Sequence, residues 1–99
     1  MSHRVRFTRH AQRDLERLFS FLADQDLAAA ERARNAIAKA CALLEDFPFA
    51  CRKAEAGNSF LRELLISFGV AGHVLLFEID DLDTVTVLAV RHQREDDYH

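Results

Sequence analysis

Five residues in the second half of the chain carry side chains suited to phosphate-ester chemistry: Lys53, Arg62, His92, Arg94 and Tyr98. Cutting RNA without a metal takes a base at the 2′-hydroxyl, an acid at the leaving 5′-oxygen, and cations that stabilise the charged phosphorane. A histidine such as His92 can act as acid or base. Arg62 can hold the phosphate. A plainer use of the same arginines is surface pairing, of Arg62 and Arg94 with Glu63, Asp96 or Asp97. The residue types alone do not choose between the two.

Other chemistries have less support. None of the histidines (His3, His10, His73, His92, His99) stands at helical spacing from another histidine or a cysteine, so no metal site is expected. The glycines are Gly57, Gly69 and Gly72, which make no phosphate-binding loop and set aside ATP or NAD as a cofactor. Ser20, Ser59 and Ser67 fall within elements or at a strand edge, away from any nucleophile elbow. Cys41 and Cys51 are too isolated for a zinc ribbon or redox pair. Cys41 lies on the apolar face of an expected helix and reads as a small hydrophobe. Cys51 falls in an expected loop beside Arg52 and Lys53, cations that would lower a thiol pKa, although a plain surface thiol is the simpler reading.

The chain has 99 residues, one domain's length, and 49% of them are apolar, which argues against disorder. Net charge is −3, unevenly spread. Arg4, Arg6, Arg9, Arg13 and Arg17 face only Asp14 and Glu16 near the start. Asp80, Asp81, Asp83, Glu95, Asp96 and Asp97 outweigh Arg91 and Arg94 near the end. Nucleic-acid binding leans on basic surfaces, so this balance favours a protein target. No stretch has the roughly 20 apolar residues of a membrane span. The charged start, Met-Ser-His-Arg-Val-Arg, resembles no signal peptide, and a cytoplasmic location is expected.

Hydrophobic periodicity supplies the elements that must position these residues. Val5 and Phe7 alternate with Arg4, Arg6 and Thr8, an edge-strand pattern. Thr8 is a suitable N-cap for a helix over about Arg9–Asp24, whose inner face is Ala11, Leu15, Leu18, Phe19 and Leu22. Arg13, Glu16 and Arg17 fall on its solvated side, with Asp14 in reach of Arg17 at i+3. Asp26 can cap a second helix over about Leu27–Glu45, with a stripe of Leu27, Ala30, Ala33, Ile37, Cys41 and Leu44. Its many alanines permit close approach, so an antiparallel helical hairpin is expected. Phe47-Pro48-Phe49 ends that helix, and a loop runs on to Asn58. Three strands follow, at about Phe60–Phe68, His73–Asp80 and Thr84–His92, with Gly69 and Gly72 at the first turn and Asp80, Asp81 and Asp83 at the second. Their short links imply an antiparallel meander. Both faces of these strands carry apolar residues, so the hairpin covers one face and leaves on the other an apolar surface that either receives a partner or is covered by the first strand, the tail or a second copy of the chain. The fold class is α+β: an N-terminal strand and a helical hairpin packed on a three- to four-stranded antiparallel sheet, in one domain over residues 1–99.

That layout, with Leu61-Arg62-Glu63-Leu64, His73-Val74-Leu75-Leu76-Phe77-Glu78-Ile79 and Val87-Leu88-Ala89-Val90-Arg91-His92-Gln93-Arg94-Glu95-Asp96 in this order, resembles the RelE/ParE toxin superfamily over nearly the whole chain. RelE-like members cut messenger RNA on the ribosome, and ParE-like members trap DNA gyrase on broken DNA, so the fold alone does not choose. The RelE-like pattern places an arginine where this chain has Val74. The ending resembles the ParE pattern Val-Leu-His-Gly-Arg-Arg-Asp, which carries over His92, Arg94 and Asp96 as target-binding residues, with Gln93 and Glu95 departing from it. In the other direction, Tyr98 falls where RelE-like enzymes often keep a catalytic aromatic.

The resemblance therefore implies an inhibitor of DNA gyrase that binds protein and is not an enzyme, held in check by a ParD-like antitoxin. That antitoxin would have a dimeric DNA-binding end and a tail that folds on the toxin, so this chain meets DNA only indirectly. The alternative is a metal-independent, ribosome-dependent ribonuclease using Arg62, His92, Tyr98 and Lys53.

Overall fold

The computed structural model describes residues 2–55, 58–68, 71–80 and 83–92. The elements in order are β1 (Arg4–Phe7), α1 (Arg9–Gln25), α2 (Leu27–Asp46), a 3-10 turn (Pro48–Ala50), β2 (Arg52–Glu55), β3 (Asn58–Phe68), β4 (Ala71–Asp80) and β5 (Thr84–His92). The sheet order is β1-β5-β4-β3-β2. Neighbours from β5 to β2 are antiparallel, while β1 runs parallel to β5.

The helix signals in the sequence act as expected. The Thr8 hydroxyl accepts the Ala11 amide and starts α1. Asp26 alone joins the helices. Its amide donates to Leu22 O at the end of α1, and its carboxylate accepts from the Ala28 amide at the start of α2. Ala30, Ala33, Ile37, Ala40 and Leu44 are buried along α2. Leu27, expected on that stripe, is 67% exposed at the hairpin turn. Between the helices the Arg34 guanidinium lies 4.7 Å over the Phe19 ring.

The sheet has five strands where three to four are expected, and β2 forms within the segment expected as a loop. Arg52-Lys53-Ala54-Glu55 has no apolar alternation to announce a strand. It is held by register against β3, with Arg52 opposite Glu63 and Lys53 opposite Arg62, and by an Arg52–Glu63 ion pair of 2.7 Å. Gly72, expected in a turn, is already within β4, and Gly69 lies outside the described residues.

One irregularity organises the helix side of the sheet. Leu76 pairs with Ala89 and Phe77 with Val87, so Leu88 is an extra residue, a β-bulge in β5. The bulge inverts the alternation of β5. Val85 and Val87 face the core before it, and Val90 faces the core after it. They join Ile66, Leu75, Phe77, Ile79, Ile37 and Leu44 in one core beneath the hairpin.

The bulge also explains how α1 is tied to the sheet. β1 covers the edge of β5 only from Thr84 to Val87. Past that point α1 takes over. The Thr8 amide donates to Val87 O at 3.0 Å, the Thr8 hydroxyl donates to Leu88 O at 3.2 Å, and Asp14 accepts the Val90 amide at 2.9 Å. Strand backbone that would otherwise be orphaned is thereby satisfied by one helix.

The opposite sheet face is mixed in character. The Arg6 Nε donates to the Thr86 hydroxyl at 2.9 Å, and that hydroxyl donates to Asp80 at 2.6 Å. Among the described residues, apolar surface on this face is found toward the other end, where Leu65 is 44% exposed and Leu61 half-buried.

Candidate functional site

His92 is the last residue of β5. The register sets it opposite His73 of β4, and the two rings meet edge to face with centroids 5.1 Å apart. By the inverted alternation past Leu88, both face α1. They line an open cleft of about 310 Å³ with Asp14, Arg17, Leu18, Phe21 and Val90. His73 is buried, His92 is half-buried, and Phe21 stands 59% exposed at the rim.

Asp14 forms the floor of this cleft. It is 5% exposed, an unusual place for a carboxylate. Besides the Val90 amide it accepts from Arg17 and lies 3.5 Å from the His10 Nε2. Thus a backbone N–H and a mostly exposed guanidinium compensate the buried charge. The sequence held a sign of this. Asp14 lies at i+3 from Ala11 and i−4 from Leu18, on the inward face of the helix, where its pairing with Arg17 drew it to the solvated side.

Among the described residues, those proposed for RNA cleavage (Lys53, Arg62 and His92) are not brought together. Lys53 and Arg62 are neighbours across β2 and β3. Arg62 is four residues along β3 from Ile66, which pairs with His73, which pairs with His92. At roughly 3.3 Å per residue and 4.8 Å per strand, Arg62 and His92 are about 16 Å apart along the sheet. An acid, a base and a cation acting on one phosphate need hydrogen-bond reach of about 3 Å. Arg62 is instead engaged locally. It donates to Phe49 O at 3.1 Å and to Cys51 O, with its guanidinium 5.5 Å from the Phe49 ring centroid. Val74, at the position where RelE-like chains carry arginine, is 1% exposed. Arg94, Asp96 and Tyr98 lie outside the described residues.

Cys51 corrects another expectation. It is not a surface thiol but 8% exposed, a member of the core. Burial pushes its thiol pKa up, and nearby Arg62 only partly offsets this. Cys41 is half-buried and likewise raised, by burial first and then by the Glu45 charge. On the far face, the Thr86 hydroxyl and then the Glu78 side chain hold the Asp80 carboxyl below its usual range. The same Asp80 contact raises Glu78. Among the described residues no three His, Cys, Asp or Glu side chains gather to hold a metal ion, and no helix is long and apolar enough to cross a membrane.

The architecture is shared with solved toxins. The chromosomal ParDE toxin–antitoxin system of P. aeruginosa contains a chain that matches with TM-score 0.70 at 14% identity, over 92% of this chain and 96% of that one. The E. coli toxin RelE, an arginine double mutant in the free state, matches with TM-score 0.66 at 16% identity over 98% and 90%. The RelBE2 toxin–antitoxin complex of Mycobacterium tuberculosis matches with TM-score 0.61 at 26% identity over 94% and 100%. Among curated proteins no match was found. Two of these neighbours are toxin–antitoxin systems, and the likeness shows the shared fold. The family model of the ParE toxin of the type II toxin–antitoxin system parDE matches residues 5–97, so the chain is a type II toxin and belongs to that family.

Proposed function

We propose that this protein is a cytoplasmic ParE toxin that inhibits DNA gyrase by binding it, and that a ParD-like antitoxin neutralises it. The observation that carries this reading is the separation of Arg62 and Lys53 from His92, together with the burial of Val74. The described part of the chain has no assembled phosphate-cleaving group, which favours the binding member of the superfamily over the ribonuclease. The contact surface is the end of β5 with the segment that follows: His92, Arg94 and Asp96. His92 supplies a polar contact beside the exposed Phe21, a pairing of a directional group with an apolar anchor that suits a protein interface.

His92→Ala tests this assignment. Its side chain is half-buried at a strand end, so the melting temperature should move by no more than a few degrees. Gyrase affinity, measured by titrating immobilised gyrase, should fall about 3- to 10-fold, the usual effect of one peripheral polar contact. Unchanged affinity would remove His92 from the interface. Loss of transcript cleavage in a translation extract that the parent protein cuts would make His92 a catalyst.

A further inference from the structure

Strand register brings His73 and His92 together. They lie directly opposite each other on β4 and β5, which pair antiparallel, and past the bulge at Leu88 both side chains face α1. The two are far apart in the chain and neither stands on a helix. Helical spacing, the usual sign of paired metal ligands in a sequence, therefore does not reveal them.

The pair has the dimensions of a chelate. Its ring centroids are 5.1 Å apart. In two imidazoles that share one zinc ion, each bound nitrogen lies about 2.0–2.1 Å from the metal, and at a tetrahedral angle the ring centres then stand about 5 Å apart. An ion that holds neighbouring ligands at right angles, as square-planar copper does, brings the centres to about 4.5 Å. The rings now meet edge to face, with planes at 70°. Rotation about χ2, a soft torsion in histidine, turns each ring about an axis through its own centre. It can aim the nitrogens at a common point and leave the spacing of the centres unchanged.

The surroundings admit a cation. The cleft of about 310 Å³ has room for an ion and water ligands. Arg17 also lines it, but the charge of that guanidinium is offset by its ion pair with Asp14 on the floor.

We propose that His73 and His92 together bind a zinc ion in this cleft. Two protein ligands are fewer than the four of a structural zinc site or the three of a catalytic one. The ion therefore keeps exchangeable positions, filled by water or by a donor group of a partner, and its affinity is micromolar. Only the folded sheet presents the two rings together, so zinc stabilises the fold. Bound zinc ties the end of β5 to β4 and engages His92, whose contact with gyrase is a separate reading on which this site does not depend.

Calorimetric titration of the full chain with zinc chloride, in buffer free of chelators, tests the site. One ion per chain should bind with a micromolar dissociation constant. Even outer-shell partners of a metal ligand are worth about 10-fold in affinity, so His73→Gln and His92→Gln should each weaken binding by at least that factor. The double variant should lose little more, because either change alone breaks the chelate. His10→Gln, on the exposed side of α1, should bind as the parent does. In the parent chain, NMR should show the ring protons of both His73 and His92 shifting with added zinc, a readout that stands even where His73→Gln fails to fold. Absence of binding at millimolar zinc would overturn the proposal. So would equal binding by the parent and the double variant, which would mean an adventitious ion held elsewhere. Weakening by only one of the two single variants, with only that ring shifting, would reduce the site to a single histidine and overturn it as well.

Discussion

Replacing Asp14 with alanine is expected to destabilise the domain by about 3 kcal/mol. The buried Val90 amide would lose its acceptor, which costs about 1–3 kcal/mol. The Arg17 pair adds at most about 1 kcal/mol, because that guanidinium is 76% exposed and screened by water. For a domain of this size the sum corresponds to a fall in melting temperature of roughly 12–24 °C, a large part of the stability such domains possess. Asp14→Asn keeps an acceptor for Val90 and should lose only about 1 kcal/mol. Thermal unfolding by circular dichroism measures both variants. A drop below about 4 °C for Asp14→Ala would mean that α1 is not held to β5 in this way. The site would feel the loss as well, because Asp14, Val90 and His92 line the same cleft.

Arg62→Ala is expected to cost about 2 kcal/mol and to spare the toxin's action. The lost interactions include two charge-assisted hydrogen bonds to backbone carbonyls, of Phe49 and Cys51, and a cation–π contact, all partly open to water. They tie the chain leaving α2 to the middle of β3. Arg62→Lys should recover little, since one ammonium cannot reproduce the planar fork. A phosphate-holding arginine would behave in the opposite way. Its removal would leave the melting temperature nearly unchanged and reduce RNA cleavage by about 10²–10³. Unfolding and activity at a temperature well below the transition therefore distinguish a clamp from a catalyst.

The parts of the fold readable from the sequence are those specified locally. The Thr8 and Asp26 caps, the two helical stripes and the apolar alternation of β3, β4 and β5 each act over a few residues, and each element forms within two residues of where its pattern places it. β2 was not readable because a short charged strand has no inward face of its own and depends on β3 for its register. Cys51 was misplaced for a related reason. The cations that follow it in sequence suggested an exposed loop, whereas the 3-10 turn directs it into the core.

The site depended on long-range geometry. His73 and His92 are 19 positions apart in the chain. Uninterrupted alternation would set His92 on the face opposite Val85 and Val87. The bulge at Leu88 reverses this, and no local pattern announces it. The separation of Arg62 and Lys53 from His92 is likewise a matter of long-range register. Lys53, Arg62 and His92 share a sheet but occupy positions whose register keeps the first two away from the third.

The central claim is that the protein acts on gyrase, and a plasmid supercoiling assay tests it most directly. Purified gyrase, relaxed plasmid and ATP are incubated with increasing amounts of the protein, and a translation extract receiving the same amounts is probed for cuts in its mRNA. Lost supercoiling with accumulation of cleaved plasmid, intact mRNA, and recovery on adding the antitoxin is the predicted result. Undisturbed supercoiling alongside mRNA cut on the ribosome would contradict it, and would require the residues after His92 to complete a catalytic group to which Arg62 does not belong.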